Sequence, residues 1–124
     1  MKFINKLRKR RALKNTMKMW SWLAWHPGAS KLDYFRREGI ITPPLNSCFA
    51  CEYANKQLDS PNLICMYCPV DEWAKQADTY DVPCEDDPHS PFAKWQFKED
   101  LSTEENMKYC MEIAKLCENS LKAL

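Results

Sequence analysis

The sequence predicts a small, mainly helical protein, either all-α or α+β, with its helices arranged around a structural four-cysteine zinc site. Three observations predict this class: apolar residues at helical spacing near both ends, two C-x2-C pairs between them, and 124 residues with 45% hydrophobic content. This size suits one compact core and excludes a multidomain enzyme. Glycine occurs only twice, which excludes the Gly-rich phosphate loops of Rossmann and P-loop proteins.

The near-neutral net charge hides two regions of opposite sign. Residues 1–31 contain nine Lys or Arg and no acid, whereas residues 32–124 contain nine basic and seventeen acidic residues. A cationic segment attracts phosphates or an acidic protein face, and an acidic remainder repels nucleic acid. Any contact with nucleic acid is therefore expected in the first third of the chain.

The first helix is expected to pack only from its middle onward. Four consecutive basic residues at 8–11 occupy successive directions around a helix, so the residues before Leu13 predict an exposed arm or a frayed helix. The packed helix should begin near Leu13 and end before Pro27. We accordingly divide the chain into a basic N-terminal arm, residues 1–16, and a single zinc-stapled domain, residues 17–124. The apolar stripe of this helix consists of Leu13, Met17, Trp20 and Ala24.

A short helix and a connector are expected next. Ser30 can cap the helix, Asp33 lies near its positive end, and Gly39 suits a left-handed exit. Two consecutive prolines then make residues 40–45 an extended connector.

The second half of the chain predicts a loop followed by a long helix. Residues 70–77 are expected to form one or two helical turns, and residues 78–91, with three prolines and five acids, a surface loop. Ser102 and Glu105 then form a capping box. The expected apolar stripe is Met107, Cys110, Met111, Ala114, Cys117 and Leu121, and the expected ion pairs are Glu104–Lys108 and Glu118–Lys122.

The cysteine spacing is the strongest signal in the sequence. Cys48, Cys51, Cys65 and Cys68 give C-x2-C-x13-C-x2-C, close to the spacing of a four-thiolate Zn²⁺ site. Four protein ligands leave no position for water, so such a metal is structural, and its binding energy contributes to folding. An iron–sulfur cluster uses the same ligands and remains an alternative. Because no glycine follows either pair, a helix starting at one pair is favoured over two hairpins.

Other candidate ligands and catalytic groups are weaker. Cys84 could replace one of the four thiols or bind a second ion with His89, but an acidic surface loop is the simpler interpretation. His26 and His89 have no partners spaced for a catalytic triad, so capping or surface roles are expected and the protein is not expected to be an enzyme. Cys110 and Cys117 share one helix face and are expected in the core.

The compartment follows from the apolar segments. No run approaches the roughly 20 uncharged apolar residues that cross a bilayer, so no membrane span is expected. The uncharged stretch 19–25 has only seven residues and is rich in Trp, which disfavours a secretion signal. A cytoplasmic protein is expected, where reduced thiols favour metal binding over disulfides.

The tryptophans near the basic leader suggest a further function. Trp20, Trp22 and Trp25 could form a stacking platform for single strands. However, Trp20 lies on the apolar stripe and is expected in the core, whereas Trp22 lies on a different side. An exposed Trp22 would favour the platform.

One set of residues forms a pattern shared with a known group of proteins: 20–27, Lys31, Asp33, Tyr34, 48–54, 65–69, Trp73, Cys84 and Trp95. Through these residues the chain resembles small four-cysteine proteins encoded by phages and prophages of Gram-positive bacteria, over about Met17 to Trp95. Some small zinc-containing phage proteins are anti-CRISPR inhibitors that bind Cas9, and the resemblance implies that activity.

The leading hypothesis is a non-enzymatic, zinc-stabilised phage protein that binds and inhibits a host protein, Cas9 or its guide complex, in the host cytoplasm. The alternative is a small nucleic-acid-binding accessory protein that uses the basic arm between Lys2 and Lys18. In a third hypothesis, the arm lies on anionic lipid through Phe3, Ile4 and Leu7.

Overall fold

The computed structural model describes residues 2–44, 48–56, 69–70, 91–97 and 101–124. No strand occurs in these ranges, so the mainly helical class is confirmed for the described part of the chain. The helices within these ranges are α1 (Lys2–Ala24), α2 (Lys31–Arg37), α3 (Phe49–Lys56), α4 (Pro91–Phe97) and α5 (Thr103–Lys122).

Helix α1 is longer than the sequence pattern predicts. It begins at Lys2 rather than near Leu13, and it ends at Ala24, before Pro27 as expected. The segment contains no glycine or proline and is rich in good helix formers, so the basic part stays helical although it buries little. Ala12 is its first buried side chain in the described residues, so packing begins where the apolar stripe begins.

The core forms where the second half of α1 packs on α5, with α2 and α3 also contacting α1 and α4 contacting α5. Among the described side chains of α1, Thr16 is polar and fully buried. Its hydroxyl donates a hydrogen bond to the Ala12 carbonyl at 2.7 Å, so the buried donor has a partner. The buried apolar side chains of α1 are Ala12, Leu13, Met19, Trp20, Leu23 and Ala24.

Both ends of α2 are as predicted. The Ser30 hydroxyl accepts from the Asp33 amide at 3.2 Å, and the Asp33 carboxylate accepts from the Ser30 amide at 2.8 Å, which completes a capping box. These bonds hold the pKa of Asp33 below its ordinary value. Gly39 has φ of 70°, and the Ile40 amide donates to the Phe35 carbonyl at 2.9 Å, which closes a Schellman motif.

Helix α5 has the predicted cap but a rotated buried face. The Ser102 hydroxyl accepts from the Glu105 amide at 3.1 Å, as expected for a capping box. Met111 is 44% exposed, so its placement on the apolar stripe was wrong. The helix turns Ile113 into the core instead, because the position of α1 decides which stripe is covered. The buried residues of α5 are Asn106, Cys110, Ile113, Ala114, Cys117 and Ser120.

The surface of α5 carries one of the two predicted ion pairs. Lys122 Nζ lies 3.1 Å from Glu118 Oε1, and Lys115 also reaches Glu118, at 3.5 Å. Glu104 and Lys108, both within the described residues, form no ion pair there. Hydrogen bonding by Lys122 and the charges of both lysines lower the pKa of Glu118.

Helix α4 is an element that the sequence pattern did not predict. Pro91, expected to end a surface loop, is its first residue, a position where proline loses no helical hydrogen bond. Phe92 and Trp95 pack edge-on against Trp20, with ring centroids 5.7 and 4.9 Å away. The predicted helical turns at 70–77 and most of the predicted loop lie outside the described residues.

Asn106 links three helices at the centre of the fold. Its amide nitrogen donates to the Leu23 carbonyl in the last turn of α1 at 2.9 Å, and its amide oxygen accepts from the Trp95 indole of α4 at 3.0 Å. The side chain is only 4% exposed. A buried polar residue of α5 therefore adds a second hydrogen bond to the Leu23 carbonyl, which also accepts from the His26 amide at 3.2 Å, and orients α4.

Candidate functional site

The predicted metal ligands are described only in part. Cys48 is buried directly before α3, and its carbonyl accepts from the Glu52 amide at 3.0 Å, so it occupies the N-cap position. Cys51 is the third residue of α3, and its side chain lies outside the described residues, as do Cys65 and Cys68. The expectation of a helix starting at one cysteine pair is confirmed at the first pair. The zinc site itself stays a prediction.

The described ranges contain no cluster of three or more His, Cys, Asp or Glu side chains that could hold a metal ion. Cys84 and His89, the weaker candidate ligands, lie outside these ranges. His26 lies within them, is exposed, and bonds through Nδ1 to the Trp22 carbonyl at 2.7 Å. It therefore has the capping role expected of it.

Two cysteines of α5 are buried in the core, as predicted. Cys110 and Cys117 are both fully buried, and burial raises the pKa of each thiol to about 12. The neighbouring Cys48 contributes to the rise of the pKa of Cys117, so α5 brings Cys117 close to Cys48. The sequence contains no signal for this proximity, because the two residues are far apart in the chain.

The exposed side of α1 is a continuous basic surface, which we call the α1 basic face. Helix α1 contains eight Lys or Arg and no acidic residue. At a rise of about 1.5 Å per residue, this face extends over about 18 Å. Lys18 reaches Glu38 at 4.0 Å, whereas the other five members have no ion pair with any described residue. The members are Lys6, Arg8, Arg10, Arg11, Lys14 and Lys18.

A cavity of about 430 Å³ opens between α1 and α3 at one edge of the α1 basic face. The Tyr53 hydroxyl donates to Asn5 at 3.1 Å across the two helices, and burial raises the pKa of this phenol. Two positively charged side chains, one carboxylate and two aromatic rings are among the groups that line the cavity. Its lining residues are Arg8, Arg11, Ala12, Asn15, Phe49, Glu52 and Tyr53.

The tryptophans do not share one exposed surface. Trp20 is buried, as predicted, at 1% exposure. Trp22 is partly buried, stacked on His26 at 4.1 Å and edge-on to Tyr34 at 5.6 Å. Trp25 alone of the three is largely exposed, at 70%. Since Trp22 is covered, the structure does not support a three-tryptophan stacking platform.

The sequence signals for the cavity lie on two separate segments. Arg8, Arg11 and Asn15 lie on one face of α1, and Phe49 and Tyr53 lie one helical turn apart in α3. Only the packing of α3 on α1 brings these residues together, so no single segment of the sequence indicates the site.

No described helix combines the length and apolar character needed to cross a bilayer.

Comparison with known proteins finds no family model, no curated protein and no solved structure that matches the chain. The features of the chain that bear on function are the α1 basic face, the adjoining cavity and the cysteine motif.

Proposed function

We propose that this is a non-enzymatic binding protein that holds nucleic acid on the α1 basic face. One observation carries the proposal: a 23-residue helix with no acidic residue exposes six Lys or Arg side chains, five of them without an ion-pair partner among the described residues. Each such cation releases a condensed counterion when it meets a phosphate, which favours binding.

The distribution of charge supports the same partner. The remainder of the chain has more acidic than basic residues, so a polyanion is attracted to α1 and repelled elsewhere. The basic face extends over about 18 Å along α1, which is long enough to contact several successive phosphates or to lie in a groove.

The test is the salt dependence of binding to fluorescent single-stranded and duplex oligonucleotides. Affinity should fall as salt rises, and the double variant Arg10→Gln/Lys14→Gln should flatten the log–log slope by about 0.7–0.9 per removed charge. The matched control Lys108→Gln/Lys115→Gln removes two lysines from α5 and should leave the slope unchanged. Absence of binding at low salt, or equal slopes for both variants, would refute the proposal.

We also propose that Cys48, Cys51, Cys65 and Cys68 hold a structural Zn²⁺. The N-cap position of Cys48 supports this, because a helix N-terminus stabilises a thiolate. Zinc binding contributes on the order of 10 kcal/mol in small domains, so removal should unfold this one.

Elemental analysis of the purified protein should return one zinc per chain, and Cys48→Ser should lose it. Cys110→Ala is the matched control, since its thiol lies in the core, and Cys84→Ser tests the alternative ligand. Visible absorption with iron in place of zinc would indicate the iron–sulfur alternative. A folded, metal-free protein would exclude both metals.

A second candidate function is the binding and inhibition of a host protein in the host cytoplasm, with Cas9 or its guide complex suggested by the family resemblance. The observation that favours it is the exposure of Ile4 and Leu7, 49% and 44%, beside the α1 basic face. A protein partner can bury such side chains, whereas phosphates cannot. The protein should then co-elute with Cas9 and guide RNA and reduce cleavage, and Ile4→Ser/Leu7→Ser should weaken both effects. Undiminished cleavage without co-elution excludes this candidate.

A further inference from the structure

The cavity between α1 and α3 has the features of a ligand site. Its volume of about 430 Å³ falls in the range of small-molecule pockets, and it combines rings with a few convergent polar groups. Arg8, Arg11 and Asn15 form one wall at helical spacing, while Phe49, Glu52 and Tyr53 form the other.

The two arginines are available to an anion. Arg8 and Arg11 are exposed, lie one helical turn apart, and form no ion pair with any described residue. Guanidinium groups at this spacing suit bidentate hydrogen bonds to a phosphate. Asn15, one further turn along, adds an amide that can donate or accept.

The opposite wall is aromatic and held in place. The Phe49 ring packs edge-on against Phe35 with centroids 5.9 Å apart, and the hydrogen bond from Tyr53 to Asn5 fixes the phenol. Rings held this way present their faces to a planar ligand at little entropic cost. Glu52, between them in the sequence, supplies a carboxylate that accepts N–H donors.

We infer that this cavity binds one nucleotide unit of a single strand. Arg8 and Arg11 hold the phosphate, the base lies against Phe49 and Tyr53, and Glu52 accepts from N–H groups on the base edge. This inference rests on the proposed nucleic-acid function and adds to it a preference for unpaired over paired bases. A duplex keeps its bases stacked and its base-edge donors paired, so it can use only the phosphate contacts.

Two titrations of the full-length protein, followed by NMR amide shifts, test the inference. With 5′-GMP as probe, the shifts should centre on the cavity residues, and inorganic phosphate should bind more weakly at the same place. Phe49→Leu should weaken GMP binding by about fivefold or more while leaving phosphate binding unchanged. Arg8→Gln/Arg11→Gln should abolish both, and the equally charged control Lys108→Gln/Lys115→Gln should alter neither.

A circular dichroism melt of each variant verifies folding. Glu52→Gln provides a second substitution that should lower the ratio of GMP affinity to phosphate affinity, because it removes a carboxylate acceptor for the base edge and the repulsion that this carboxylate exerts on phosphate. Fluorescent oligonucleotides then show whether the cavity prefers a nucleotide within a strand over a free nucleotide. The affinity for the single strand should exceed both the affinity for GMP and the affinity for the corresponding duplex. Equal affinities for GMP and phosphate, or for single strand and duplex, overturn the inference. If salt-dependent oligonucleotide binding persists in that case, the proposed function stands without the cavity; if it is absent, both fail.

Discussion

The two long helices of the fold pack against each other but differ in how their sequences support them. Helix α5 has a capping box, four Glu and three Lys, and an ion pair between Glu118 and Lys122. Helix α1 has eight Lys or Arg, no acid in its first turn and no compensating pair along most of its exposed face. The cap and the Glu118 ion pairs of α5 favour a helix in isolation, whereas α1 carries repelling like charges at i, i+3 and i, i+4.

The difference suits two roles: α5 supports the fold, and α1 offers an exposed surface for binding. Like-charge neighbours cost a few tenths of a kcal/mol each, and in α1 this cost is offset by good helix formers and by the anchoring of its second half in the core. A polyanionic partner would remove that repulsion. We therefore expect α1 to depend mainly on packing and α5 to gain more from local interactions.

The largest effect is expected within α1 itself. Leu13 is fully buried, and Leu13→Ala should lower the free energy of unfolding by about 2–5 kcal/mol through lost burial and a cavity. Leu7→Ala, on the 44% exposed side chain in the basic half, should change it by less than about 0.5 kcal/mol. Urea denaturation measures both values. Similar losses for the two variants would show that the basic half also packs.

The contact between the two helices is tested at Asn106. Asn106→Leu leaves the Trp95 indole without its partner and leaves the Leu23 carbonyl with only the bond from the His26 amide, which should cost roughly 1–3 kcal/mol in urea denaturation. Asn119→Ala, on an exposed residue of the same helix, is the control and should be nearly neutral. A near-neutral Asn106→Leu would mean that water or a rearrangement satisfies both groups.

The free energy of unfolding should fall at alkaline pH because of a buried thiol on α5. Burial raises the pKa of the Cys110 thiol from 9.0 to about 12, so the unfolded chain loses this proton first and the folded state weakens as pH rises between those values. Relative to Cys110→Ala, the wild-type protein should lose up to about 1.4 kcal/mol more per pH unit in that window. Denaturation at several alkaline pH values checks this, with Met111→Ala as an exposed control. Parallel profiles for wild type and Cys110→Ala would contradict the buried thiol.

The smallest effect concerns the capping box of α5. Ser102→Ala removes the hydroxyl that accepts from the Glu105 amide and should cost about 1 kcal/mol. Thr103→Ala, one residue later and exposed, should cost a few tenths at most. If the two substitutions have equal effects in thermal melts, α5 is held by packing rather than by its local signals.

The capped helices were predictable because their signals are local. Ser30 with Asp33 and Ser102 with Glu105 each lie within one helical turn, and Gly39 needs only its own backbone freedom. The first cysteine pair was likewise correctly placed at a helix start.

The sequence-based predictions were wrong or incomplete where burial depends on which other helix packs against a segment. Met111 and Ile113 are equally plausible core residues from spacing alone, and the position of α1 buries Ile113. Helix α4 was missed because a seven-residue segment has too few positions to show a period. The cavity was missed because its two walls belong to segments that meet only in the fold.

By itself, the sequence determined the helical class, the caps, the exit at Gly39 and the concentration of positive charge in the first helix, because short-range sterics, hydrogen bonds and charge counts need no knowledge of neighbours. Only the tertiary structure decided which stripe of α5 is buried, how Asn106 joins three helices, and that Arg8 and Arg11 face Phe49 and Tyr53 across one cavity. Those outcomes depend on how the helices are placed relative to one another. The burial of their combined apolar surface selects this placement, and no single segment encodes it.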